Sequence, residues 1–152
     1  METGTFVIGE DEITINLIDY NEVQEIEFPF FSSYKNAIDH TIKCFGFYAN
    51  SELIAVSAII PDTHDSNDGF VPLGIPIIYV FEVKKNLRNR GYGHKCVDLL
   101  LHNVIDSSTV QVCCTLSSLE FWKKVGFVVA YEDNAFMGKD FKWFTLLFSK
   151  KE

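Results

Sequence analysis

Ile77-Ile78-Tyr79-Val80-Phe81-Glu82-Val83 runs directly into Lys84-Lys85-Asn86-Leu87-Arg88-Asn89-Arg90-Gly91-Tyr92-Gly93-His94. The first seven residues are almost continuously apolar, as expected of a strand covered on both faces. The remainder reads as a turn that enters a helix from about Gly91 to Ile105. There Tyr92, Cys96, Val97, Leu100, Leu101 and Val104 form one apolar stripe. Val110 to Leu116 is another strand, so residues 77 to 116 predict a right-handed parallel strand-helix-strand crossover.

The turn has chemical content. A helix start leaves backbone N–H groups without partners and carries the positive end of the helix dipole. Glycines remove the side chains that would hold a phosphate away from those groups. Arg88 and Arg90 can neutralise its charge and donate several hydrogen bonds. The residues therefore suit an anion cradle. The three-glycine spacing of a dinucleotide turn is absent, as is the Gly-Lys-Ser/Thr ending of a P-loop. Gly91 and Gly93 also fit a plain tight turn without a ligand, and the residues alone leave both readings open.

Working outward, Ile13 to Ile18 alternates apolar and polar residues and predicts a half-buried strand. Asn21 to Cys44 has mostly helical character, interrupted around Phe28-Pro29-Phe30 because proline disfavours a helical residue before it. Phe45 to Ala49 and Leu53 to Ile60 predict a hairpin across Asn50-Ser51. Residues 61 to 75 are rich in Asp, Asn, Gly and Pro and predict a long exposed loop. Ser117-Ser118 can cap a short helix through Val125, with Gly126 placed to end it. Phe127 to Tyr131 and Phe141 to Phe148 complete the strands. The expectation is a mixed α/β (α+β) sheet of about seven strands in one domain, residues 1–152.

At 152 residues, with 47% apolar and 22% charged residues, the chain can bury a core without disulfides or metals. A net charge of −8 argues against general binding to nucleic acid or to an anionic membrane. The acidic surface suits a cationic partner, and also plain solubility. No basic-then-apolar leader opens the chain, and no apolar run approaches the roughly 18 residues of a membrane span, so a soluble, cytoplasmic protein is expected. Cys44, Cys96, Cys113 and Cys114 match neither a zinc site nor a secreted disulfide framework, and read as reduced structural thiols. Adjacent Cys113 and Cys114 face opposite sides of a strand, so at least one is buried. No metal is expected.

Arg88-x-x-Gly91-x-Gly93, five residues beyond Val83, resembles the acetyl-CoA signature of the GNAT N-acetyltransferase superfamily. Phe121-Trp122-Lys123-Lys124-Val125-Gly126-Phe127 is similar to that family's FYEKxGF segment. The two occur in the family's order and spacing. The resemblance implies a centrally splayed sheet with helices on both faces, and an acyltransferase that moves an acetyl group from acetyl-CoA to a primary amine by direct attack. It implies that backbone N–H groups from Arg88, Asn89, Arg90, Gly91, Tyr92, Gly93 and His94 bind the CoA pyrophosphate. It further implies that the backbone of Phe81 to Val83 pairs with the pantetheine arm, with an N–H near Phe81 or Glu82 facing the oxyanion. The acceptor would be a small amine or a peptide or protein amine, and the oligomer is left open, a homodimer included.

The catalytic groups depart from the family. Trp122 stands where a tyrosine often protonates the thiolate, and an indole N–H is no usable acid near neutral pH. Another group (Tyr131 is one option), solvent, or a loss of activity would follow; Tyr92 sits in the turn. Glu82 is the one carboxylate of its strand and the candidate general base, with pairing to a neighbouring cation or a place at a solvated edge the alternatives. His94 more naturally lines the turn, whereas His40, His64 and His102 have no recognisable partner. Phe28, Phe30, Phe31 and Tyr34 can wall an acceptor pocket or pack the core. Asp62, Asp65 and Asp68 lack the rest of a calcium loop. The same residues also fit a non-catalytic acetyl-CoA-binding or interaction module.

Overall fold

The computed structural model describes residues 4–8, 11–34, 36–39, 41–61, 75–133 and 143–150. Two compact units are present: Met1–Ile60 with Tyr79–Asp106, and Pro61–Ile78 with Ser107–Glu152. One of the three divisions between them, Ile78/Tyr79, falls inside a strand.

In the first unit the strands follow the order β1 (Gly4–Ile8), β2 (Asp11–Leu17), β3 (Lys43–Ala49), β4 (Glu52–Ile60) and β5 (Ile77–Val83, from Tyr79 onward). The pairs β1/β2, β2/β3 and β3/β4 are antiparallel. Alternation in β2 places Ile13 and Ile15 wholly inside. The β3/β4 turn holds Asn50 at φ 51° and Ser51 at φ 67°. Two left-handed residues make a type I′ turn, whose twist matches a tight hairpin. The hairpin expected there is present. Strand β1 was not foreseen, and brings the described strands to eight.

The helical expectation for Asn21 to Cys44 is corrected. Among the described residues of that stretch, the helical structure is a 3-10 turn, Tyr20–Glu22, and one turn of helix, α1 (Pro29–Ser32). Pro29 starts α1 rather than breaking it, since a first-turn residue needs no N–H partner. The Tyr20 hydroxyl sits at the end of α1, 2.9 Å from the Phe31 carbonyl and 2.7 Å from the Ser32 carbonyl, and its one proton caps that end. Phe28 and Phe31, one turn apart, then pack with Cys44, Val56, Ala58 and Val80 in a buried cluster.

Helix α2 (Tyr92–Leu99) widens into a π-type turn at Leu100–Val104, where the Ile105 N–H reaches back to the Leu100 carbonyl at 3.0 Å. Cys96, Val97, Leu100 and Leu101 of the expected stripe are buried.

In the second unit, Ile77 and Ile78 of β5 pair in parallel with Gln111 and Val112 of β6 (Thr109–Thr115). β6 is antiparallel to β8 (Trp143–Ser149), which is antiparallel to β7 (Val128–Asp133). Helix α3 (Leu116–Val125) starts one residue before the expected serine cap. Thr115 occupies the cap position without a side-chain cap bond, and its hydroxyl lies 3.0 Å from that of Ser117. Gly126 ends α3 as expected, at φ 122°. Its N–H and that of Phe127 close back onto Trp122 and Lys123 carbonyls at 3.0 to 3.2 Å.

Candidate active site

The candidate residues Glu82, Val83 and Arg88 are brought together at the end of β5. Arg88 Nε donates to the Val83 carbonyl at 3.0 Å, and its terminal nitrogen donates to Glu82 Oε2 at 2.9 Å. The Glu82 side chain is 4% exposed and that of Arg88 45%. Glu82 also accepts from backbone: Phe31 N–H reaches Oε1 at 2.7 Å and Phe30 N–H reaches Oε2 at 3.3 Å. Of the two alternatives to a base role, the pairing with a cation is present, and burial of the side chain excludes the solvated edge. A base role would require the carboxylate to be reached and to release one of these partners.

Beyond Val83 a 3-10 turn, Lys85–Leu87, leads to Arg88. Asn89 at φ 63° and Gly91 at φ 85° then occupy left-handed backbone on either side of Arg90. Asparagine tolerates this region better than most residues, and glycine adopts it without strain. Gly91 is the N-cap of α2 and makes no side-chain cap bond; a Cβ built there would meet nothing within 4 Å. Helix geometry gives the first-turn N–H groups of Gly93 and His94 no intrahelical acceptor. Arg88, Asn89, Arg90, Gly91 and His94 are exposed, while Tyr92 and Gly93 are half-buried. The helix start, the open space at Gly91 and the two arginines fit a pyrophosphate group.

Not every cation of the turn faces outward. Lys84 Nζ lies 2.9 Å from both Glu27 Oε2 and Glu52 Oε2, and those hydrogen bonds, Glu52 foremost, raise its pKa. Its N–H donates to the Ile54 carbonyl at 2.8 Å, fixing the strand end against β4.

The aromatic expectation divides. Phe28 and Phe31 are core, whereas Phe30 is 51% exposed. Phe30 meets Tyr34 edge-on at 5.3 Å, and Tyr34 meets Tyr79 edge-on at 5.1 Å. Tyr79 is the member of this row that sequence reasoning missed. A hydroxyl-bearing aromatic in a strand of mostly aliphatic residues was the available signal. Phe81 packs edge-on to Phe47 at 6.1 Å.

Trp122 is 6% exposed and stacked edge-on between Phe121 at 5.0 Å and Phe127 at 5.2 Å, the packing arrangement of a core residue. His102 lies 3.4 Å from Asp98. His40, His64, Asp62, Asp65, Asp68 and the segment expected between the last two strands lie outside the described residues, and Tyr131 falls within β7. Among the described residues no three His, Cys, Asp or Glu side chains gather as a metal site, and no helix is long and apolar enough to cross a membrane.

All four cysteines are free, with Cys44, Cys96 and Cys114 buried. Burial pushes the Cys96 thiol up to about 12 and those of Cys44 and Cys114 up to about 11. They are poor nucleophiles at neutral pH. The folded protein keeps these protons to higher pH than the unfolded chain does. The stabilisation is therefore complete below the ordinary thiol value of 9.0 and is lost as pH rises toward 11 to 12. Urea midpoints measured from pH 8 upward should fall above about pH 9. A thiol reagent at neutral pH should label these three only as fast as the protein opens.

No protein-family model matches the chain, and no curated protein matches it by sequence. Solved structures do match. An acetyltransferase from Bacillus subtilis in complex with CoA is 15% identical, with a TM-score of 0.65 over 90% of this chain and 98% of that one. A GNAT family acetyltransferase from Elizabethkingia anophelis with acetyl-CoA bound is 16% identical, with a TM-score of 0.63 over 91% and 98%. The fold is that of the GNAT acetyltransferases. The ribosomal-protein-S18-alanine N-acetyltransferase of Escherichia coli is similar at 12% identity, with a TM-score of 0.59 over 92% of this chain and 95% of that one. The GNAT resemblance read from Arg88-x-x-Gly91-x-Gly93 and the mixed α/β class are therefore borne out at the level of fold.

Proposed function

We propose that the chain, residues 1–152 acting as one domain, is an N-acetyltransferase that moves an acetyl group from acetyl-CoA to a primary amine. The observation that carries this reading is the start of α2. An uncapped helix end, a left-handed Gly91 with open space at its Cβ, and the Arg88 guanidinium occupy one turn of a GNAT fold. Two of the structures sharing that fold hold CoA or acetyl-CoA.

In this reading the N–H groups from Arg88 to His94 hold the pyrophosphate, and the backbone of Phe81 to Val83 holds the pantetheine arm. The amine nitrogen attacks the thioester carbonyl, the C–S bond breaks, and an amide and the CoA thiol leave. A backbone N–H near Phe81 or Glu82 would stabilise the developing oxyanion. The acceptor is a small cationic amine or a peptide or protein amine. The exposed Phe30 ring, with Tyr34 and Tyr79 behind it, gives a surface on which a cation can rest. The net charge of −8 favours the same class. The free cysteines suit a reducing, cytoplasmic setting. A homodimer is compatible with this reading.

One observation favours a second reading, a non-catalytic acetyl-CoA-binding module. Trp122 is packed in the core where the family often has an acid. A panel of polyamines, aminoglycosides, amino acids and peptides, followed by release of free CoA thiol, separates the two. Steady release with one amine class is expected. Tight acetyl-CoA binding with no release across the panel would select the module.

A further inference from the structure

Glu82 is the one charged residue among the buried polar side chains Ser57, Glu82, Gln111 and Thr145 of the described residues. Its surroundings assign it work other than proton abstraction. Oε1 faces the Phe31 N–H at 2.7 Å. Oε2 faces both the Phe30 N–H at 3.3 Å and the Arg88 guanidinium at 2.9 Å. With the side chain 4% exposed, an amine cannot reach the carboxylate without displacing a group that covers it.

Each contact has a structural consequence. The N–H groups of Phe30 and Phe31 belong to the first turn of α1, where a helix has no internal acceptor, and Phe28 at the cap position supplies none from its side chain. Glu82 therefore completes the N-terminus of α1 from another strand. On its other side it fixes Arg88, whose Nε is held by the Val83 carbonyl. A guanidinium has five N–H donors, and two are engaged in this way. The plane of the group is set by those two, and the rest of the half-exposed head remains for a phosphate.

Resting on the acetyltransferase reading above, we propose that Glu82 is a positioning residue that joins the cofactor turn to the acceptor wall. The same carboxylate orients Arg88 and anchors the turn that carries Phe30. Disturbing it should weaken both substrates together while leaving the ionisation that governs turnover in place. A general base at Glu82 predicts the reverse: cofactor affinity intact, and the acidic limb of the rate profile removed.

The test compares wild type with Glu82→Gln, Arg88→Gln and the double variant. Acetyl-CoA affinity comes from calorimetry, and KM, kcat and the pH profile of kcat come from the acceptor found in the amine panel. Glu82→Gln keeps one acceptor oxygen and the side-chain volume, so the fold should survive; thermal unfolding checks this directly. The expected result is a Kd for acetyl-CoA raised about tenfold, close to 1.4 kcal/mol. The acceptor KM should rise by a similar factor, the pH profile should keep its shape, and the double variant should be no weaker than Arg88→Gln alone. Unchanged affinity with kcat lowered about a hundredfold or more and a lost acidic limb would overturn the proposal and restore Glu82 as base. Unchanged affinity and unchanged KM, with only a lower melting temperature, would overturn it as well. If wild type binds no acetyl-CoA, the acetyltransferase reading itself fails. A wild type that binds while the variants bind equally well defeats only the coupling.

Discussion

Gly91→Glu is expected to abolish the thermal stabilisation that acetyl-CoA gives the wild type. A ligand at a hundred times its Kd stabilises by about 2.7 kcal/mol. In a chain of this size that is roughly 5 to 10 °C in melting temperature. The substitution acts in two separable ways. At φ 85° any side chain is strained, by about 1–2 kcal/mol. The added atoms themselves meet open space, because nothing lies within 4 Å of the Cβ position. What remains is a carboxylate at the entrance of α2, where the N–H groups of Gly93 and His94 and the guanidinium of Arg88 would otherwise meet phosphate. Affinity should fall at least about a hundredfold, or about 2.8 kcal/mol. Gly91→Ala carries the backbone strain without the charge, and should lose stability yet retain most of the ligand shift. Stabilisation that survives in Gly91→Glu would place the cofactor elsewhere.

The largest effect on stability is expected from Phe31→Ala, at about 3–5 kcal/mol. Phe31 is fully buried in the cluster with Phe28, Val56, Ala58 and Val80, and its ring lies 5.0 Å from that of Tyr20. Truncation leaves a cavity beneath α1, and equilibrium urea unfolding would measure its cost. Phe30→Ala is the internal contrast. Its ring is half-exposed, so stability should change by less than about 1 kcal/mol. If Phe30 lines the acceptor site, the acceptor KM should rise while acetyl-CoA binding stays the same. A large loss of stability in Phe30→Ala would show that its ring is part of the core after all.

The glycine turn and its helix were legible because their constraints are local. Left-handed backbone, a helix start and an apolar stripe leave marks within a dozen residues of sequence, as Gly91, Gly93 and the run from Cys96 to Leu101 illustrate. Asn21 to Cys44 was misread because its decisive interactions are long-range. The Tyr20 hydroxyl caps the end of α1 beside the Phe31 and Ser32 carbonyls, and the Glu82 carboxylate, far along the chain, accepts from the Phe30 and Phe31 N–H groups. No window of local sequence contains both halves of such a contact. Strand β1 was missed because Thr5 to Ile8 is a short run between glycines with no sustained alternation, and its pairing with β2 is not written in it. The Glu82–Arg88 pair lay closest to the surface of the sequence, as opposite charges six positions apart across a turn.

Lys84 changes how the cradle should respond to its medium. Counted along the chain, Lys84, Lys85, Arg88 and Arg90 offer a polyanion four positive charges. Lys84 is neutralised by two glutamates before any ligand arrives, and Arg88 is partly matched by Glu82. The long-range pull on CoA is therefore modest, and added salt should slow capture less than four exposed cations would suggest. Salt acts instead on the Glu27–Lys84–Glu52 bridge, which is accessible enough to be screened. High ionic strength should therefore loosen the end of β5 from within, in addition to screening the exposed Lys85 and Arg90 on the outer face of the turn.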